Sequence, residues 1–133
     1  MSNKFSVSPD GEKFLIPEKK DYDAEFQRIK KLADEQRAMG REIVVVVGVG
    51  FVGAVMAAVI ADSVNDAGEA TKFVIGMQRP SVRSFWKVKK MDRGESPVKA
   101  EDPEVDPMIR RCVLDKKTLV ATFNADVMKL ADC

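Results

Sequence analysis

Gly48, Gly50 and Gly53 stand in the spacing G-x-G-x-x-G, in the run Gly48-Val49-Gly50-Phe51-Val52-Gly53. The run leaves five consecutive β-branched residues, 43–47, and enters a stretch of small and apolar ones. The chemistry served by this spacing, in this strand-to-helix setting, is phosphate binding. Gly48 lets the chain turn sharply off the strand. Gly50 has no side chain, so a pyrophosphate can come close to the backbone. Gly53 lets the helix pack against the strand. A helix that starts at Phe51 and Val52 then turns free N–H groups and a positive dipole end toward the phosphates. Gly48, Gly50, Phe51, Val52 and Gly53 are therefore candidate cofactor contacts. A tight turn with no ligand is the competing reading of the same residues.

An acid at the end of the second strand would accept hydrogen bonds from the adenine ribose of a bound dinucleotide. Here the strand ends Val74-Ile75-Gly76-Met77 and continues Gln78-Arg79, with no acid. Gln78 can still hydrogen-bond a ribose hydroxyl. Arg79 sits where a cation meets a 2′-phosphate, and Arg83 and Lys87 extend the same cationic segment. The expected cofactor is NAD, with NADP a serious rival. For each of these cations the plain alternative is a solvated surface charge.

Other chemistries are excluded or unsupported. The chain has 133 residues and no histidine, so imidazole base chemistry and His-ligated metal sites are ruled out. No catalytic residue and no metal ligand is assigned. The two cysteines, Cys112 and Cys133, make no disulfide framework and suggest a reducing cytoplasm. A formal charge of +1 gives no support for a nucleic-acid or anionic-membrane partner. The longest apolar stretch is broken by the glycines and stops at Asp62, short of a membrane span. The opening MSNKFSVSPDGEKF has no apolar core of a signal peptide.

The elements that must position the glycine run follow from periodicity. Residues 1–20 read as an irregular arm with a turn at Pro9-Asp10-Gly11. Tyr22, Phe26, Ile29, Leu32 and Ala33 recur at helical spacing, so an amphipathic helix runs from Asp21, capped by Asp21 or Asp23, to Gly40. Strands are expected at residues 43–47, 72–76 and 118–122. Helices are expected at 51–64, 85–92 and 107–113, with a last short one opened by Asn124 or Asp126. A continuous apolar strand suits a sheet covered on both faces. Alternating strands and helices give a parallel sheet. The fold class is α/β: an incomplete Rossmann-like three-layer domain over residues 41–133, preceded by an N-terminal arm and amphipathic helix over 1–40.

GVGFVGAVMAAVIA resembles the fingerprint region of nucleotide-sugar dehydrogenases, the UDP-sugar 6-dehydrogenases. So do Arg93-Gly94-Glu95-Ser96-Pro97, Asp102-Pro103, Ala121-Thr122 and Ala131-Asp132, which follow in that family's order. The combination is similar to the branch that handles UDP-N-acetylhexosamines, and it covers about residues 41–133. The resemblance implies oxidation of a UDP-sugar C6 alcohol to the uronate, by two hydride transfers to NAD through a thiohemiacetal on a cysteine. That cysteine and its neighbours lie beyond the matched region in the family. Cys112 falls in the wrong segment and reads as a core or helix-face thiol, and Cys133 matches the start of a further core strand. Two departures stand out: extra residues at 79–86, and Glu104 where the family has glycine.

The doubly wound order places a fourth strand beside the first. With three strands, the first becomes an exposed apolar edge that invites pairing. The chain is therefore expected to be a catalytically incomplete fragment, with a homo-oligomer formed or the edge covered by residues 1–40. The UDP-sugar would be a partner of the intact enzyme. The competing classes are a dinucleotide-binding dehydrogenase of hydroxyacid or 6-phosphogluconate type, and a non-catalytic Rossmann-like module.

Overall fold

The computed structural model describes residues 4–97 and 103–132. Asp102 and Cys133, both named in the sequence reading, lie outside the described residues. Three parallel strands form the sheet: β3 (Glu42–Val47), β4 (Lys72–Met77) and β5 (Leu119–Thr122), in the order β3-β4-β5. Val44 pairs with Val74, and Val74 with Leu119. The central strand shows why its run is apolar throughout. Phe73, Ile75 and Met77 enter one core with Ile43, Val127 and Leu130, while Val74 enters another with Val44, Val46 and Leu119. Both faces are covered, so neither parity of side chain is left for water.

Helix α2 (Phe51–Asp62), α3 (Phe85–Asp92) and α4 (Val105–Arg110) contribute to one core. Helix α1 (Lys19–Ala38) and a 3-10 turn (Ala125–Leu130) contribute to the other. Helix α1 starts two residues earlier than its apolar period suggests. Glu18 is the cap residue, and Asp21 accepts its backbone N–H at 2.8 Å in a capping box. Gly40 ends it at φ +85, as its position implied.

The arm is not irregular. Strands β1 (Phe5–Val7) and β2 (Lys13–Leu15) form an antiparallel hairpin whose turn holds Gly11 at φ +89. Three-residue strands are too short to show a period. They are held by contacts that exist only in the folded chain. The buried Ser6 hydroxyl donates to the Val82 carbonyl at 2.8 Å and accepts the Trp86 N–H at 3.0 Å. Lys90 reaches Asp10 at 2.9 Å and Glu12 at 3.4 Å, and Arg93 reaches Glu12 at 2.7 Å. The hairpin is thereby tied to α3.

The helix expected at 107–113 also differs. Helix α4 starts at Val105, with Pro107 in its first turn where a missing N–H costs nothing, and widens into a π-helical turn at Arg111–Asp115. Asp62, at the end of α2, holds side chains from both ends of that turn. Its carboxylate takes Arg111 bidentately at 2.9 and 2.6 Å and Lys116 at 3.1 Å. Cys112 is buried between them, and desolvation pushes its thiol up.

Both outer edges of the sheet are stopped by side chains. On β5 the Ala121 N–H donates to Asp92 at 3.0 Å, and Arg28 donates to the Ala121 carbonyl at 3.4 Å. Arg28 and Asp92 are themselves paired at 3.3 Å. On β3 the Ile43 N–H donates to the Asp132 carboxylate at 2.9 Å, while the Asp132 N–H donates to the Ile43 carbonyl at 2.8 Å. Arg37 pairs with that carboxylate at 3.0 Å. Both arginines belong to α1, roughly 13.5 Å apart along its axis, which matches a helix laid across three strands.

The Arg111 and Lys116 donors hold the Asp62 carboxyl well below the usual carboxylate range. Its folded value is depressed, so its stabilisation is complete above about pH 4 and is lost as pH falls through the folded value. Asp62→Asn is expected to cost about 1 to 2 kcal/mol at neutral pH. It is also expected to flatten the acid-side decline of the melting temperature, as read by thermal unfolding across pH.

Candidate functional site

The glycine run behaves as three separate steric requirements. Gly48 has φ +92, which only glycine adopts freely, and its N–H donates to the Met77 carbonyl at 2.6 Å. Gly53 lies against the turn it follows. A Cβ there would fall 2.0 Å from the Gly48 carbonyl oxygen. Gly50 is the opposite case, since a Cβ there would meet nothing within 4 Å. The open space at Gly50 is what a ligand approaching the backbone needs.

Gly50 caps α2 in extended conformation, and no side chain caps the helix or stands as an acid in its first turn. Its leading N–H groups therefore keep their positive end uncompensated. Phe51 opens the helix, and the Val52 side chain is exposed.

A cleft of about 350 Å³ opens beside this turn, at the C-terminal ends of β3 and β4. Val47, Gly48, Met77, Gln78, Arg79 and Met128 line it. Gln78 ties its two walls together: its Oε1 accepts the Val49 N–H at 3.2 Å, and its own N–H donates to the Thr122 carbonyl at 3.1 Å. Arg79 is exposed at the rim. The predicted residues Gly48, Gln78 and Arg79 thus share one cleft, with Gly50 and Gly53 in the adjoining turn. Arg83 is exposed and is not among the cleft walls, and the Lys87 ammonium lies 5.8 Å from the Trp86 ring centre. Met128 was not legible beforehand. It arrives on the 3-10 turn that Asn124 caps, by accepting the Asp126 N–H at 2.9 Å, and nothing local marks it as a wall.

A second cleft, of about 360 Å³, lies between the hairpin, α1 and α3. Two of its charges are already committed, since Glu25 takes Arg28 at 2.8 Å and the Thr122 hydroxyl at 2.6 Å. Among the described residues no group of three or more histidine, cysteine or acidic side chains is placed to hold a metal. No helix among them is long and apolar enough to cross a membrane.

No protein-family model matches the chain, and no curated protein does. A solved structure does: the NDP-N-acetyl-D-galactosaminuronic acid dehydrogenase from Methanosarcina mazei Go1, at 30% identity and a TM-score of 0.54. The likeness is to a nucleotide-sugar dehydrogenase. It covers 71% of this chain, and the chain spans 18% of the length of that dehydrogenase. The resemblance carried by GVGFVGAVMAAVIA and the later segments and the likeness in fold point to the same kind of enzyme.

The contact at Gly53 can be tested directly. Gly53→Ala is expected to lower unfolding free energy by more than about 3 kcal/mol, because backbone must move to admit the methyl group. Gly50→Ala is expected to stay within about 0.5 kcal/mol of the parent. Denaturant titration of both variants separates the two glycines.

Proposed function

We propose that this chain holds the ADP half of a nicotinamide dinucleotide, NAD or NADP, for a nucleotide-sugar dehydrogenase. The observation that carries the reading is the empty approach at Gly50 beside an uncapped helix start and an open cleft. Gly48, Gly50 and the first N–H groups of α2, from Phe51 through Gly53, receive the pyrophosphate. Gln78 and Arg79 face the adenosine ribose, and Arg83 adds positive potential from outside the cleft. Residues 41–133 form the dinucleotide-binding part, with residues 1–40 as its arm and covering helix.

The substrate of the full reaction is a nucleotide sugar, whose C6 alcohol becomes a carboxylate as two hydrides pass to two dinucleotide molecules and water supplies the second oxygen. The cysteine that such enzymes use lies in sequence beyond the matched region. No residue described here takes that role: Cys112 is buried in the core, away from the cleft. A reducing cytoplasm is the setting that suits this free thiol.

Calorimetric titration of the chain with NAD, NADP and ADP-ribose tests the reading. Binding of ADP-ribose is expected, weakened about tenfold in Gly50→Ala, where a methyl group occupies the approach of the phosphates. Absence of binding by all three would favour a non-catalytic Rossmann-like module.

Self-association belongs to the same reading. Val47, Val52, Met56 and Val59 are exposed on adjoining parts of β3 and α2. Patches of this kind are where chains meet. Light scattering is expected to give a mass above one chain. A monomer at micromolar concentration would contradict it.

A further inference from the structure

Resting on the dinucleotide reading, we propose that Gln78 is a positioning residue. Its side chain holds the Gly48–Val49 peptide in the orientation that presents the start of α2 to the pyrophosphate. The Val49 N–H donates to Gln78 Oε1 at 3.2 Å, across 29 positions of sequence. Because the partner is a donor, the oxygen end of the amide faces it. The same oxygen stands close to Gly48, where a Cβ would lie 3.9 Å from it. Val49 is fully buried, so its N–H needs an acceptor, and Gln78 supplies one from just past the end of β4.

The Gly48–Val49 peptide is the pivot of the turn. Its oxygen is the one against which Gly53 packs, and its N–H is the one that Gln78 takes. One planar group is thus held at both ends, by α2 on one side and by the end of β4 on the other. Glycine creates the need for the second hold. Gly48 stands at φ +92, and neither it nor Gly50 has a side chain to restrict the backbone. If this peptide turned, the amides of Gly50 and Phe51 would turn with it. Gln78 is itself anchored. Its own N–H donates to the Thr122 carbonyl at 3.1 Å, and the Thr122 hydroxyl donates to Glu25 on α1 at 2.6 Å. The positioning role leaves the ribose contact open, since the Gln78 oxygen keeps a second lone pair and its Nε2 group can still donate. The Val49 N–H, facing Gln78, is not among the groups offered to a phosphate.

A probe without ribose separates positioning from ribose contact. The whole chain is titrated with ADP-ribose and with inorganic pyrophosphate, and backbone amide exchange is followed by NMR. Gln78→Met keeps the volume and removes the acceptor. It is expected to weaken both ligands about tenfold. Its melting temperature is expected to stay within about 4 °C of the parent, since water in the open cleft can take the Val49 N–H. A residue that only stabilised the fold would not give that split. Gln78→Glu keeps an acceptor for Val49 and is expected to bind ADP-ribose within about threefold of the parent, as an acid commonly serves at this position. In the ligand-free parent, the Val49 amide is expected to exchange far more slowly than the Val52 amide, which has no partner within its helix. Equal exchange of these two amides would overturn the positioning role, whether or not any variant folds. Weaker ADP-ribose binding by Gln78→Met with pyrophosphate binding unchanged would also overturn it and leave the dinucleotide reading standing. Binding of neither ligand by the parent would overturn both.

Discussion

The distance between Gly53 and the carbonyl of Gly48 is the constraint on which the rest of the molecule depends. With 2.0 Å available to a Cβ, helix α2 can stand where it does only if that atom is absent. The approach continues along the helix, where Ala54, Ala57, Ala58 and Ala61 are all fully buried. Small side chains at these places keep helix and sheet close for the full length of contact. The same closeness brings Val49 over β4, where a Cβ on Gly76 would stand 3.3 Å from its methyl group. The direction of the helix start, the bond from Val49 to Gln78 and the mouth of the cleft all follow from that one approach.

Helix α1 performs the second organising task. It covers the face of the sheet opposite α2, with Ile29 and Ala33 fully buried. Its two arginines also reach past that face to both edges. Each holds an aspartate whose oxygen takes a strand N–H that a further strand would otherwise take. The two ends are not equivalent. Burial pushes the Asp92 carboxyl up despite Arg28, so this pair works against its own desolvation. The Ile43 N–H and then Arg37 hold the Asp132 carboxyl below its ordinary range, in a more exposed setting. Blocking an edge with a charged side chain is a known means of discouraging further pairing. On β3 it acts at Ile43, while Val47 at the far end stays 63% exposed.

What could be read from residues alone divides along the range of the interactions. The three parallel strands and the turn after residue 47 were legible because they rest on neighbours in the chain. Five β-branched residues need cover on both faces, and glycine spacing reports local geometry. The likeness to nucleotide-sugar dehydrogenases was legible for the same reason, in short motifs kept in order. The hairpin was not, since Ser6 finds its partners at Val82 and Trp86, and Lys90 finds Asp10. The widened turn after Arg110 is held by Asp62, far back in sequence. In the cleft, Gln78 and Arg79 line the same walls as Gly48. That the Gln78 oxygen accepts the Val49 N–H is a tertiary fact, and so is the arrival of Met128.

The bond between Ile43 and Asp132 has a kinetic meaning. The two residues are separated by 89 positions, so their contact closes one of the longest loops in the fold. Such closure costs conformational entropy that shorter-range contacts do not. The strands β3 and β4, the helix between them and the buried alanines can assemble without it. The closing contact should then form late during folding and open first from the native state. Each opening bares the start of β3 while the rest of the sheet stays intact. Amides on that edge would exchange with solvent on a faster clock than those of β4, only one strand away.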